Sequence, residues 1–223
     1  MQLPYRGSAG PLHRLVDSTG IKVRGEGEWH ARKHGGAKRR VWRKVHLAID
    51  EGEEDRERPR WGVSPTNMEV RAVEITGSGV GDAPMLPGLL SQVPADEPIA
   101  LGEPANADGA YDGRACRDAV ANRGADAIIP PRRNARPWKK DSPGAGARNE
   151  ALRAIKRFGR ALWRKWSGYH RRSRVETKMN CMKLLGQKLM SRDFDRQTAE
   201  LQVRIAILNR FTALGVPVTQ PAG

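Results

Sequence analysis

The chain has 223 residues, with 40 Lys and Arg against 25 Asp and Glu, a formal net charge of +15 and a sequence pI near 10.6. That length suits one domain with a sizeable core, and the charge favours a polyanionic partner, nucleic acid ahead of an acidic membrane surface. No apolar run reaches the roughly 18 residues of a membrane span, no signal-peptide pattern opens the chain, and Cys116 and Cys181 form neither a disulfide framework nor a zinc spacing, which fits a reducing cytoplasm.

In chain order, residues 12–17, LHRLVD, read as a strand that DSTGIKV continues past an irregular point. Residues 41–49 alternate Val41, Arg43, Val45, Leu47 and Ile49 against Trp42, Lys44, His46 and Ala48, a period of two that predicts a second strand. EVRAVEIT, 69–76, is the third. The charged, proline-containing stretch 51–68 between them reads as an exposed insertion loop. Asp82 is expected to cap a helix over 83–92 with Pro84 in its first turn. A weak strand over 99–108 ends at Asp108, a helix over 112–123 closes at Gly124, and ADAIIP, 125–130, is a short buried strand. A basic Pro/Gly loop, 132–147, leads to helices at 149–164, 170–190 and 195–213. Three strands, helix, strand, helix, strand and then helices is an α/β pattern: an antiparallel meander followed by helical crossovers. It is the order of the ribonuclease-H-like fold, a mixed sheet with flanking and C-terminal helices.

The charge is patterned. Residues 30–46 carry seven Lys or Arg and no acid, 131–140 carry five and no acid, and 148–174 carry ten against one Glu. Trp42, Trp138, Trp163 and Trp166 lie in or beside these stretches, as rings that stack on bases would; covering a core edge is the commoner role of any single Trp.

In such a sheet the first and fourth strands are neighbours, so Asp17 and Asp108 come together although 91 residues apart, and Glu176, a further 68 on, sits on a late helix that can cross them. Clustered acids repel and need a cation. Mg2+ takes hard oxygen ligands and keeps positions open for water and phosphate, and a pair of such ions serves phosphodiester cleavage. On the helix around Glu176, the residues Tyr169, Arg172, Glu176 and Lys183 fall within roughly 60° on one stripe about 20 Å long. An apolar stripe of Val175, Met179, Met182 and Leu189 runs beside it. Taken alone, Arg172 and Glu176 are as well explained by a surface i,i+4 pair worth a few tenths of a kcal/mol. Asp112 reads as a helix N-cap and the competing metal ligand to Asp108; Asp50 reads as a solvated acid opening the acidic loop. His34 and His46 read as surface or DNA-facing groups rather than metal ligands, and GEGEW, 25–29, as a turn rather than a nucleotide loop.

YHRRSRVETKMNCMK, 169–183, fits Tyr-x2-Arg-x3-Glu-x6-Lys at every specified position. With VDSTGIKVRGEGEWHARKHG, RRVWRKVHLAIDE, ADGAYDGRAC, IIPPRRNARPW, RNEALRAIKRFG and LNRFTALGVP it resembles the DDE transposases of bacterial insertion sequences. The likeness is to the fifth numbered insertion-sequence family, runs from about residue 8 to 218, and shares its signature with the fourth. The resemblance implies a DNA transposase that cuts and joins phosphodiester backbones, with Asp17, Asp108 and Glu176 as catalytic metal ligands. It implies two Mg2+ ions, replaceable by Mn2+, and DNA contacts from Tyr169, Arg172 and Lys183, to which the basic run adds Arg132 and Arg133. The partners implied are double-stranded DNA at insertion-sequence ends and target, with self-association on DNA and no membrane, in a bacterial cytoplasm at the nucleoid. The expectation is a single catalytic domain over 1–223 without the N-terminal end-binding region usual in that family. A related metal-dependent nuclease and a non-catalytic nucleic-acid-binding remnant are the alternatives.

Overall fold

Side chains along a strand alternate between faces, and the first strand shows what each face is for. In the computed structural model, which describes residues 14–24, 33, 41–50, 68–94 and 104–215, β1 is one continuous strand, Arg14–Val23. Leu15, Ile21 and Val23 pack with Val175, Met179, Met182, Leu201, Ile205 and Leu208. Val16 packs on the other side with Leu86, Leu89, Tyr111, Cys116 and Val120. The sheet is therefore covered on both faces, and the odd-numbered residues of β1, Asp17 and Thr19 among them, belong to the face of the C-terminal helices.

β2 (Trp42–Asp50) and β3 (Val70–Gly77) complete an antiparallel meander, with Asp17 opposite Leu47 and Leu47 opposite Val73. β4 (Pro104–Asn106) runs parallel to β1 through Arg14↔Ala105 and Leu15↔Asn106, and β5 (Asp126–Ile128) parallel to β4. The order is β3-β2-β1-β4-β5, and β6 (Lys188–Leu189) pairs with the far end of β1 at Lys22 and Val23. β4 and β6 thus share one edge of β1 and leave the stretch between them, where Asp17 and Thr19 stand, without a strand partner on that side among the described residues.

α1 (Leu86–Ser91), entered by a 3-10 turn, and α2 (Arg114–Ala121) cover one face. α3 (Ala145–Phe158) and α4 (Arg160–Trp166) follow. α5 (Ser173–Leu184) and α6 (Phe194–Leu214) cover the other face. The expected helix over 149–164 is two helices, broken at Gly159, whose φ of 86° no other residue type adopts cheaply. The helix expected over 170–190 is a 3-10 turn at Tyr169–Arg172, then α5, then β6. Leu189 is buried as the apolar stripe requires, but on a strand, because the open edge of β1 offers Lys188 and Leu189 backbone partners. Asp82 makes no capping bond: Pro84 removes one of the amides it would accept from, and its carboxylate takes Lys44 Nζ at 2.6 Å instead. GEGEW, His34, the loop 51–67 and residues 216–218 lie outside the described residues.

Candidate active site

Asp17 lies mid-strand on β1, its side chain 11 % exposed. Ser18 N donates to its Oδ1 at 2.8 Å, and Arg172 Nη1 donates to Oδ2. Asp108 follows β4 at the carboxyl end of the parallel pair and opens the 3-10 turn Gly109–Tyr111, its Oδ1 accepting from Ala110 N at 2.7 Å. Open α/β sheets place their chemistry at this end of the strands. In both acids one oxygen is pinned by a backbone amide, which orients the other.

Glu176 sits in the first turn of α5 and accepts from Arg172 Nη2 at 2.7 Å; it is 54 % exposed against 20 % for Arg172. One guanidinium therefore bridges two of the three carboxylates. The i,i+4 pair is real, yet its other arm reaches 155 residues back to Asp17, which no isolated surface pair would do. Lys183, two turns on, donates to Thr19 Oγ1 at 2.6 Å. The polar stripe is laid along β1, one cation beside Asp17 and the next beside Thr19. Its first turn is 3-10 rather than α, and this Tyr169–Arg172 turn packs against both β1 and β4. Tyr169 lies under Arg164, 5.3 Å from its ring centroid, and next to Trp163.

The electrostatics bind the group together. Burial pushes the Asp17 carboxyl above the usual range; the Ser18 amide and Arg172 oppose this, while the charges of Asp108 and Glu176 add to it. Arg172 is held more basic than usual by Asp17, Tyr169, Glu176 and Asp108, against the effect of its own burial. The phenol of Tyr111 is buried, makes no hydrogen bond and is pushed up by burial and by Asp82, Asp17 and Asp108. The three predicted acids are one electrostatic neighbourhood. Among the described residues no three His, Cys, Asp or Glu side chains are already gathered as a metal-ligand set, and the guanidinium of Arg172 lies where Asp17 and Glu176 meet. The donor set is hard carboxylate oxygen, the chemistry Mg2+ prefers, at a place where the protein already satisfies repelling acids with a cation.

The competing acids have other work. Asp112 is neither the N-cap of α2, which is Gly113, nor near-surface. Its Oδ1 accepts from Arg117 Nε at 3.0 Å and Arg148 Nε at 2.9 Å, its Oδ2 from Arg132 N at 3.1 Å. These partners hold its carboxyl below the usual range against burial. Asp50 is not a solvated loop acid: it ends β2 buried, and pairs with Arg71 at 3.4 Å. His46 is fully buried rather than DNA-facing, on the face of β2 where Ala48 packs with Leu86, Leu89 and Leu90 of α1; its Nε2 lies 3.0 Å from Thr76 Oγ1, and burial lowers its basicity. Arg117 and Arg148 escaped sequence reading because cations in a basic chain look like solvated surface. The available signal was Arg117 standing between Cys116 and Val120 on the apolar face of α2.

Arg132 and Arg133 are exposed on the loop between β5 and α3, and neither side chain pairs with Asp17, Asp108 or Glu176. Of the four tryptophans, Trp163 is core, Trp42 lies under Lys22, Trp138 under Arg148, and Trp166 is 61 % exposed, edge-on to Phe158. Cys116 and Cys181 are free thiols. Among the described residues no helix is long and apolar enough to cross a membrane.

A mixed sheet with acids on its central strand, at the end of the parallel neighbour and on a helix laid across them defines the ribonuclease-H-like class. Within that class the chain belongs to the transposase DDE domain family, which matches residues 8–210. It is thereby a member of the DNA-binding, DNA-cleaving enzymes of mobile elements. No solved structure matches the chain.

Proposed function

We propose that this chain is the catalytic domain of an insertion-sequence transposase that cuts DNA at the element's ends and joins the freed 3′ hydroxyl to target DNA, with Asp17, Asp108 and Glu176 as its metal-binding acids. The observation that carries this reading is the bridge from Arg172 to Asp17 and Glu176, which ties the signature helix to the central strand. Two Mg2+ ions held by the three carboxylates would supply an activated water and neutralise the leaving oxygen. The chain's own part is orientation and charge. The Ser18 and Ala110 amides fix Asp17 and Asp108, and Arg172 and Lys183 offer cations to the phosphates that flank the scissile bond. Tyr169, on the same turn as Arg172, borders the strand being cut.

The test is Mg2+-dependent nicking of a terminal-repeat duplex beside a binding titration. Glu176→Gln keeps the shape and removes the charge, so nicking falls by at least about a hundredfold while duplex affinity holds or tightens. Nicking at the parent rate would remove Glu176 from the site. Nicking without joining would make the chain a nuclease, and binding without Mg2+-dependent nicking a non-catalytic remnant.

A further inference from the structure

Between β5 and α3 the chain crosses 131–144 without helix or strand and carries five cations in ten residues. Such a segment should repel itself and wander. Instead its backbone is tied down at six points. Pro131 O accepts from Arg160 at 2.8 Å, and Arg132 N donates to Asp112 at 3.1 Å. Arg136 O accepts from Arg148 Nη1 at 2.8 Å. Asn149 takes both the N–H and the C=O of Trp138, at 2.9 and 2.8 Å. Gly144 N donates to Asp118 at 2.8 Å. At Gly144 a Cβ would stand 2.5 Å from the backbone of Arg117, so the segment's end is pressed onto α2. The Arg148 guanidinium, 4 % exposed, lies 3.9 Å over the Trp138 ring while it grips Asp112.

Every tie is made to the backbone or to the inward ring. The side chains of Arg132, Arg133, Arg136, Lys139 and Lys140 are exposed and form no ion pair among the described residues. A row of unpaired cations on a rigid support, whose exposed neighbours are only Asn134 and the single ring of Pro137, fits phosphates rather than bases, a lipid core or an apolar protein face. The support is also tied to the catalytic turn. Residues 108–112 carry Asp108 at one end and the clamp Asp112 at the other, and Pro130 O lies 3.4 Å from where a Cβ on Gly109 would be.

Resting on the transposase reading, we propose that residues 131–140 form a preformed track for the phosphate backbone of duplex DNA leading to Asp108, and that Asp112 and Arg148 are positioning residues that fix it there.

The test is the salt dependence of binding to a short duplex of unrelated sequence, with Mg2+ titrated separately by calorimetry. Each phosphate contact contributes about 0.9 to the slope of log affinity against log salt, so Arg132→Ala/Arg133→Ala should lower the slope by about 2. Arg148→Lys keeps the buried charge but loses the fork and the ring contact, and should lower the slope as much although it touches no DNA, with Mg2+ binding unchanged. Asn149→Ala frees the Trp138 backbone without stranding a charge, and should give the same loss, with faster hydrogen exchange at the Trp138 amide. If Arg148→Lys fails to fold, Asn149→Ala decides alone. A parental slope in the Arg132→Ala/Arg133→Ala variant overturns the track, and a parental slope in Asn149→Ala overturns the clamp. A parent chain that never nicks but shows these slope losses would refute the transposase reading and leave the track standing.

Discussion

Replacing Arg172 with alanine separates two effects that one side chain now combines. The guanidinium contacts Asp17, where both partners are largely buried, and Glu176, where the carboxylate is 54 % exposed. A hydrogen bond to a charged group is worth about 1.5–3 kcal/mol, and the exposed arm, screened by solvent, adds no more than a few tenths. A divalent cation entering between Asp17 and Glu176 must displace these contacts and overcome the neighbouring positive charge. Removing Arg172 should therefore tighten Mg2+ or Mn2+ binding to the DNA-free protein by about ten- to a hundredfold, at about 1.4 kcal/mol per tenfold. The same variant loses a phosphate contact, so duplex affinity should fall and the salt slope drop by about 0.9. Calorimetric titration of the metal without DNA, and anisotropy titration of DNA without metal, read the two separately. Unchanged or weaker metal binding in Arg172→Ala would show that the carboxylates it bridges are not where the metal sits.

Two further outcomes test the packing that presents the site. Lys178 is buried on α5, donates to Thr212 on α6, and is pushed down to about 8 by burial. A lysine depressed from its unfolded value of about 10.4 favours the neutral form in the fold, so stability should rise with pH between about 8 and 10.4. Lys178→Met should stabilise the protein near neutral pH, by about 3 kcal/mol at most, and abolish that rise in denaturant titrations. Met182 is fully buried between α5 and the sheet while Leu184 is exposed; truncating Met182 to alanine should cost about 2–5 kcal/mol, and truncating Leu184 less than about 0.5.

The sheet was readable where period and face agree. The alternation of Val45, Leu47 and Ile49 marked β2, and Val175, Met179 and Met182 marked the face of α5 that meets the sheet. The signature spacing marks Arg172 beside Glu176, but one-dimensional spacing carries no sign that its guanidinium spans from Glu176 to Asp17. Boundaries failed where tertiary contacts outrank local pattern. Leu189 fits the helical stripe, yet the open edge of β1 makes it a strand. Asp112 looked like a cap because caps are local, whereas its true partners, Arg117, Arg148 and the Arg132 amide, are assembled from three separate stretches of chain. His46 followed the strand pattern correctly, but which face α1 would cover was not written in that pattern.

The most direct test of the three-acid site is an anomalous difference map from crystals soaked in Mn2+. A metal site built by these acids gives a peak bounded by Asp17, Asp108 and Glu176, with carboxylate oxygens about 2.1 Å away and Arg172 turned out of the space it shares with them. A Mn2+ peak elsewhere on the chain, with Arg172 still bridging Asp17 and Glu176, would contradict it.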